Sequence, residues 1–168
     1  TERYRAIFHV RSTAPSASEA SSLLLEALPL QHDSVLLRHE LAYVLGQLGD
    51  RAAAGSLRAV ALDETEDDIV RHEAVEALAA LTDTQAEELI AELAANAGSD
   101  PLRHTCELAL AGLKEQRPAC ACQFTSKDPA EGWRDAAEQH VAAAAAQLAD
   151  STQTLYQRYE GLFTLRNV

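Results

Sequence analysis

Three stretches of the sequence repeat one pattern and decide the fold: VLLRHELAYVLGQL (35–48), IVRHEAVEALAAL (69–81) and PLRHTCELALAGL (101–113). Each stretch carries an arginine followed by a histidine, and this dipeptide recurs with a period of about 33 residues. In the first stretch apolar residues lie at i, i+4, i+8 and i+11 from Leu37, and the other two stretches match this spacing. That spacing marks one face of an α-helix. We therefore expect three equivalent helices that bury equivalent faces.

Further helices with their own start signals lie between these stretches. Ser16 with Glu19, and Thr84 with Glu87, have the spacing of capping boxes, in which a side chain at the helix start accepts a hydrogen bond from the first turn. The pattern is interrupted by segments that carry proline, glycine or a run of acidic residues: 29–34, 63–68 and 98–101. Two helices per period, stacked so that each pair covers its neighbour's apolar face, predict an all-α protein, an α-solenoid of helical-hairpin repeats.

The composition supports a helical chain and limits the partners. Of the 168 residues 47% are apolar and only 5% aromatic, and helix-favouring alanine and leucine are abundant. The formal net charge is -12, from 14 basic and 26 acidic residues, so a phosphate backbone or an anionic membrane would be repelled. We expect no nucleic-acid partner and no membrane partner. A basic protein or a cationic substrate would instead be attracted to this surface.

We expect no membrane-spanning segment and no secretion signal. No apolar run approaches the length of about 18 residues that a spanning helix needs. Cys106, Cys120 and Cys122 lack the paired spacing of a zinc site, so reduced thiols are expected. These features predict a cytoplasmic protein.

The end of the chain repeats its beginning, since LYQRYEGLFTLRNV (155–168) aligns with TERYRAIFHVRS (1–12) at shared arginine, tyrosine and phenylalanine positions. We interpret 1–115 as a solenoid half of helical-hairpin repeats that carries both His-Glu motifs. The segment 116–133 has two prolines and little periodicity, so we interpret it as a linker. Residues 134–168 would then be the first helical pair of a second, truncated half, and the chain a fragment of a larger protein.

The candidate chemistry lies on the repeated helices, where His39-Glu40 and His72-Glu73 occupy identical positions in successive repeats. Equivalent solenoid helices lie about 8–10 Å apart, so two imidazoles that reach toward each other can meet at a metal about 2 Å from each nitrogen. The glutamates supply oxygen ligands or hold the ligands by hydrogen bonds. Two histidines and a carboxylate with open positions form the ligand set of oxygen-activating iron enzymes, whereas the lack of a cysteine argues against structural zinc.

The same residues also allow an interpretation without a metal, in which a His-Glu pair on an inner helix of the solenoid lines a protein-binding groove. For a single pair we would prefer it. Two pairs in register favour a metal, because a solenoid needs only its apolar stripe to repeat. The third copy keeps Arg103 and His104 but has Thr105 where glutamate stands, so we expect His104 not to be a ligand.

Three segments resemble a known family: RHELAYVLGQLGD (38–50), VRHEAVEALAAL (70–81) and, after a linker with an Asp-Pro pair, RYEGLFTLRN (158–167). They closely resemble deoxyhypusine hydroxylase, a family of HEAT-repeat monooxygenases, and the similarity extends over essentially the whole chain. The resemblance implies two symmetric solenoid halves, each with two His-Glu motifs, that together hold two irons in a non-haem centre. It also implies hydroxylation, with dioxygen, of the deoxyhypusine side chain of translation initiation factor 5A to hypusine. An acidic surface agrees with such a polyamine-like cationic substrate.

The resemblance also implies roles for the four residues. His39 and His72 would be ligands of one iron, and Glu40 a carboxylate ligand of the iron whose histidines come from the other half. Glu73 would contact the ligands or the substrate amine, with direct ligation left open, and no catalytic residue beyond the metal ligands is expected. Because the second pair of His-Glu motifs is absent from this chain, we expect it to hold half of the di-iron site. A homodimer that faces its His-Glu surfaces together would mimic the missing half.

Two other classes of function stay open. The chain could be a metal-free HEAT adaptor in which His39 and His72 line a groove for a protein partner. It could also resemble the HEAT-like lyases that attach bilin chromophores, which would bind a tetrapyrrole rather than iron. Neither class explains why Arg-His-Glu recurs in register.

Overall fold

The computed structural model describes residues 2–30, 34–81, 84–115, 127–133 and 136–168, and the regular elements in these ranges are helical. The α-helices, in chain order, are α1 (Glu2–Thr13), α2 (Ala17–Ala27), α3 (Val35–Leu48), α4 (Ala54–Leu62), α5 (Asp68–Ala80), α6 (Glu87–Asn96), α7 (Asp100–Glu115), α8 (Val141–Ala149) and α9 (Leu155–Asn167). Short 3-10 turns lie at Leu28–Leu30, Arg51–Ala53, Thr84–Ala86 and Glu138–His140. The prediction of an all-α protein is confirmed.

Side-chain caps start the two helices that carry the His-Glu pairs. Ser34 accepts a hydrogen bond from the amide of Leu37 at the start of α3. Asp67 does the same for the amide of Ile69 at the start of α5. These caps pair amide groups that the first turn of a helix leaves without intrahelical partners. They fix where α3 and α5 begin, and so fix the direction in which each histidine leaves its helix.

The two capping boxes expected from sequence have different outcomes. Ser16 accepts a hydrogen bond from the amide of Glu19 at 3.2 Å, so this helix start is confirmed. The start expected at Thr84 is wrong, because a 3-10 turn occupies Thr84–Ala86 and α6 begins only at Glu87.

The helices form two rows. Helices α1, α3, α5 and α7 lie side by side in chain order, α4 packs on α5, and α6 packs on α7. This is the stacking predicted for an α-solenoid, in which each pair covers the apolar face of its neighbour. At the end of the stack, α8 and α9 form a hairpin that packs through α9 on α7.

The repeated apolar stripe forms the core. Its fully or nearly fully buried members come from all three copies of the pattern: Leu37, Leu41, Leu45, Val70, Ala74, Leu78, Leu81, Leu102 and Cys106. The remaining members are partly buried and pack against the same core: Leu48, Leu110 and Leu113. Since full burial of one leucine contributes about 1.5–3 kcal/mol, this stripe is a main source of stability. The predicted equivalence of the three helix faces is confirmed.

Helices α3 and α5 approach each other closely at Gly46. A Cβ atom at this position would lie 2.8 Å from the Cα and Cβ atoms of Ala77, closer than van der Waals contact permits. Glycine inside a helix costs about 0.5–1 kcal/mol relative to alanine, and here the close packing offsets that cost. The approach brings the faces that carry His39 and His72 together.

Two arginines, Arg71 on α5 and Arg158 on α9, each bind the helix before their own. The Arg71 Nε donates to the carbonyl oxygen of Ala61 in α4 at 3.2 Å. In the last hairpin, the Arg158 Nε donates to the carbonyl oxygen of Leu148 in α8 at 2.9 Å. Helix ends leave carbonyl groups without intrahelical partners, so these arginines stabilise the junctions.

Residues 127–133, which we call the strap, cross from α3 to α9. At the α3 end, the side-chain amide of Gln47 pairs with the backbone of Lys127 in both directions. The Gln47 Nε2 donates to the Lys127 carbonyl at 3.0 Å, and the Lys127 amide donates to Gln47 Oε1 at 2.8 Å. The Lys127 ammonium also donates to the carbonyl of Gly46 at 3.4 Å.

At its other end the strap is fastened to α9. Arg166 donates to both carboxylate oxygens of Asp128, at 2.9 and 2.6 Å, which is the strong bidentate form of this pair. The amide of Trp133 donates to the Thr164 hydroxyl at 2.7 Å. The strap therefore joins α3 to α9.

The division into 1–115, 116–133 and 134–168 stays a prediction, since 116–126 and 134–135 lie outside the described residues. Within the described ranges, no helix combines the length and apolar character needed to cross a bilayer.

Candidate metal centre

The two histidines of the repeated motif meet between α3 and α5. Both follow the in-register arginine and lie one step off the apolar stripe, so the close packing of the two helices turns their rings toward each other. The ring centroids of His39 and His72 are 5.5 Å apart and the rings are tilted by 49°. The convergence expected from the repeat register is present.

Glu73 joins the histidines from α5. Its Oε2 lies 3.1 Å from His39 Nε2 and 3.9 Å from His72 Nε2, although the residue is only 6% exposed. Potential ligand atoms of His39, His72 and Glu73 all lie within 4.8 Å of one another. A buried carboxylate is costly unless a cation or hydrogen-bond donors compensate it, so the site favours positive charge.

The hydrogen bond to Glu73 raises the pKa of His39, because the carboxylate stabilises the imidazolium; burial of the ring opposes this, and the charges of Glu73 and Glu40 add to it. The second ring is oriented from its own helix. His72 Nδ1 lies 3.3 Å from the carbonyl oxygen of Asp68, so an Nδ1–H donates there and Nε2 faces Glu73. Orientation by a backbone carbonyl is typical of metal-ligating histidines.

Glu40 has a different position from Glu73. Its Oε1 lies 3.6 Å from His39 Nδ1, on the other side of the ring from the Nε2 that faces Glu73. His39 Nδ1 is buried and has no hydrogen-bond partner among the described residues. The two glutamates therefore flank the His39 ring, and only Glu73 shares a potential ligand group with the histidines. Ligation by Glu40 remains a prediction.

This donor set fits a divalent transition metal. Two imidazoles and one carboxylate suit iron and related metals, and their close grouping matches ligands of one ion. The side chains of His39 and His72 remain 21% and 22% exposed, which leaves one face of the group open to further ligands or substrate. An open face distinguishes catalytic metal sites from closed structural ones.

The third copy of the motif lies apart from the group. His104 is exposed, and its Nε2 contacts the Arg103 guanidinium at 3.2 Å. Thr105, which replaces the glutamate of the other copies, lies along a cavity beside α5. Among the described residues, His104 is not part of the group formed by His39, His72 and Glu73.

Sequence reasoning missed Glu76, which lies one turn after Glu73 and lines that cavity. Burial raises its pKa to about 7, and the nearby charges of Glu73 and Asp128 act in the same direction while His39 opposes them. The repeat alignment could have indicated Glu76, because the equivalent positions in the other two copies are Tyr43 and Leu108, which carry no carboxylate.

Comparisons with known proteins agree with this fold. Deoxyhypusine hydroxylases from Phaeosphaeria nodorum and Saccharomyces cerevisiae are 36% and 35% identical over 99% of this chain, which covers 54% and 55% of those proteins. The solved structure of human deoxyhypusine hydroxylase in complex with glycerol matches with a TM-score of 0.84 and 33% identity, over 98% of this chain and 56% of that one.

The resemblance seen in the sequence is thereby confirmed, and the chain spans about half the length of the curated relatives it matches. A family model described as HEAT repeats matches residues 3–111, which include every helix from α2 to α6 and most of α1 and α7. By this match and by its stacked helical pairs, the chain belongs to the HEAT-repeat family.

Proposed function

We propose that this chain supplies one His-Glu set of the iron site of a deoxyhypusine hydroxylase. The protein that contains it would hydroxylate the deoxyhypusine side chain of translation initiation factor 5A to hypusine, in the cytoplasm. The observation that carries the proposal is the convergence of His39, His72 and Glu73. The similarity to deoxyhypusine hydroxylases over nearly the whole chain supports it.

In this proposal His39 and His72 hold one iron through their Nε2 atoms. Bound iron would supply the redox chemistry needed to activate dioxygen. The Asp68 carbonyl keeps the His72 ring in the binding orientation. His39 Nε2 lies 3.1 Å from Glu73 in the metal-free chain, and metal binding would displace any proton that His39 carries at this nitrogen.

The two glutamates take different parts in the proposal. Glu73 faces both histidines, so it completes this ligand set or contacts the substrate amine beside it. Glu40 lies on the opposite side of His39, from which it would serve as a ligand of the second iron, held by the histidines of the other set. Two irons per complete enzyme follow from two such sets.

The charge of the chain suits this substrate. A net charge of -12 attracts a cationic side chain and repels nucleic acid. In a preparation of this chain alone, the second set could come only from another copy. A homodimer with facing histidine pairs is the arrangement that we propose for that case.

Iron binding tests the metal part of the proposal. The chain is loaded anaerobically with ferrous iron, and metal content is measured together with solution mass. We expect bound iron that is lost in the His39→Ala, His72→Ala double variant and kept in the matched control His104→Ala. Equal iron in all three proteins would contradict the site and return the chain to the class of metal-free adaptors.

Hydroxylation tests the reaction itself. The protein that contains this chain is incubated with factor 5A bearing deoxyhypusine, and the added oxygen is measured by mass spectrometry. Product is expected with the natural sequence and with His104→Ala, and not with His72→Ala. Undiminished product with His72→Ala would refute the proposed role of this set.

A further inference from the structure

A cavity of about 380 Å³ is enclosed by α5, α7, α9 and the strap. Its polar lining comes from each of these elements: Glu76, Thr105, Tyr156, Lys127, Asp128 and Glu131. Its remaining walls are aliphatic, with alanines of α5 and α7, Leu113 and Pro129. The volume lies in the range of pockets that bind small molecules.

Glu76 is one of three acidic groups that line this cavity. Among the described residues it forms no hydrogen bond and no ion pair, although it is largely buried. Two basic side chains near it make contacts of their own, and neither pairs with Glu76. The Lys127 ammonium donates to the Gly46 carbonyl, and Arg166 holds Asp128 in a bidentate pair.

The charged groups that line the cavity favour a cation, because three carboxylates, of Glu76, Asp128 and Glu131, accompany one ammonium, of Lys127. Glu73 on its own helix and Asp128 on the strap are acidic, and they disfavour the ionised form of Glu76. The polar lining residues from α7 and α9 are neutral and carry a hydroxyl group, Thr105 and Tyr156. A cation at Glu76 would relieve this repulsion.

The aliphatic walls favour an organic cation over a metal ion. A hydrated metal ion gains little from alanine, leucine and proline walls, whereas a hydrocarbon chain with an ammonium end buries its methylenes there. We propose that this cavity binds the ammonium end of an aliphatic amine, with Glu76 as the charge partner. Its distance from the metal site is set by α5, on which Glu76 lies one turn from Glu73, with Cβ atoms about 5–6 Å apart.

This placement has a consequence for the reaction. An amine anchored at Glu76 lays its adjacent methylenes along α5 toward Glu73 and the histidines. The identification of that amine as the end of the deoxyhypusine side chain rests on the proposed function, whereas amine binding itself does not. Glu76 would then be a specificity-determining residue that selects a long cationic chain.

Calorimetric titration of the metal-free chain with 1,4-diaminobutane tests the proposal, at about 150 mM salt so that diffuse attraction to the acidic surface is screened. Butane-1,4-diol, which has the same chain length and no charge, is the control ligand. We expect saturable one-to-one binding of the diamine only. Glu76→Gln should weaken it at least tenfold, and Glu88→Gln, at an exposed position on α6, should leave it unchanged.

Two outcomes would overturn the inference: equal diamine affinity in Glu76→Gln and the unchanged chain, or equal binding of diol and diamine. Ala80→Leu, which adds bulk to the cavity wall, gives a second check and should also weaken binding.

The His39→Ala, His72→Ala variant separates this inference from the proposed function. It should lose iron and keep diamine binding. If the unchanged chain binds no iron but binds diamine through Glu76, the proposed function fails and the amine site stands. Loss of diamine binding in the histidine variant, with binding retained in Glu76→Gln, would place the amine at the histidines and reject the cavity.

Discussion

The second and third copies of the Arg-His motif start from nearly the same sequence and end in different chemistry. On α5, His72 faces His39 across the buried carboxylate of Glu73. On α7, His104 is exposed and lies against the guanidinium of Arg103. The same register on neighbouring, packed helices therefore does not by itself bring a histidine into the group of His39, His72 and Glu73. The third copy also differs by Thr105 in place of the glutamate.

The arginines of the two copies differ in the same way. Arg71 is half-buried and reaches the carbonyl of Ala61 in the preceding helix. Arg103 is more exposed and forms ion pairs with Asp100 and Glu107 of its own helix. The first contact joins two helices, whereas the second stays on the surface of one.

The largest expected effect comes from separating α3 and α5. Gly46→Ala places a methyl group 2.8 Å from Ala77, so the helices must move apart, and we expect a loss of about 3 kcal/mol in the free energy of unfolding. Urea denaturation measures it, and iron binding should weaken because His39 and His72 separate. The matched control is Gly55→Ala on α4, where no atom lies within 4 Å and a gain of about 0.5–1 kcal/mol is expected. Equal stability of the two variants would show that the close approach carries no constraint.

Removal of one histidine from each copy should have the next largest effect. His72→Ala should weaken ferrous iron binding about 100-fold, roughly 2.7 kcal/mol, because one of two imidazole ligands is lost. His104→Ala should change it less than twofold. Competition with a chromophoric chelator measures both, and similar losses in the two variants would mean that the third copy also binds metal.

A smaller effect concerns Glu76, which has no acidic equivalent on α7. Its pKa is raised from 4.5 to about 7, so between these pH values the folded chain keeps a proton that the unfolded chain has lost. Stability therefore falls as the pH rises through this window, and the cost is complete above it. Glu76→Gln removes the cost, so the variant should gain on the unchanged chain from pH 4.5 to 7, by about 2 kcal/mol after allowance for partial exposure.

Urea denaturation of the metal-free proteins at several pH values measures this gap. Leu108 holds the equivalent position on α7, so α7 offers no matching carboxylate. A gap that stays constant between pH 4.5 and 8 would show that the Glu76 carboxyl is not destabilised in the folded chain.

The smallest expected effect comes from the arginines. Arg71→Lys loses the directed bond to the Ala61 carbonyl and should cost about 1 kcal/mol, whereas Arg103→Lys should stay within about 0.5 kcal/mol because exposed ion pairs contribute little. Thermal unfolding of the two variants side by side measures the difference. A larger loss for Arg103→Lys would reverse the order that we assign to the two contacts.

Local rules account for much of what the sequence predicted. The apolar stripe fixes which face of α3, α5 and α7 is buried, and equivalent positions in stacked repeats converge, so the meeting of His39 and His72 follows from register. The repeated arginine needed another explanation. The sequence predicts no role for it, and Arg71 bonds the end of the preceding helix.

What the sequence did not predict depends on contacts between distant residues. Nothing in a local pattern pairs Gln47 with Lys127 or sets Gly46 against Ala77. The position of Glu73 inside the histidine group and of Glu40 outside it also depends on side-chain direction, which two identical dipeptides cannot specify.

The strap changes how the molecule can come apart. In an open stack each layer touches only the next, so the terminal layer can fray without disturbing the others. Here the last hairpin is also held to α3 through the paired amides of Gln47 and Lys127 and the clamp between Asp128 and Arg166. The line of repeats is thereby closed into a loop, in which a hairpin that detaches from α7 stays at high local concentration and rebinds. Local unfolding of the last hairpin is thereby coupled to α3, the helix that carries His39.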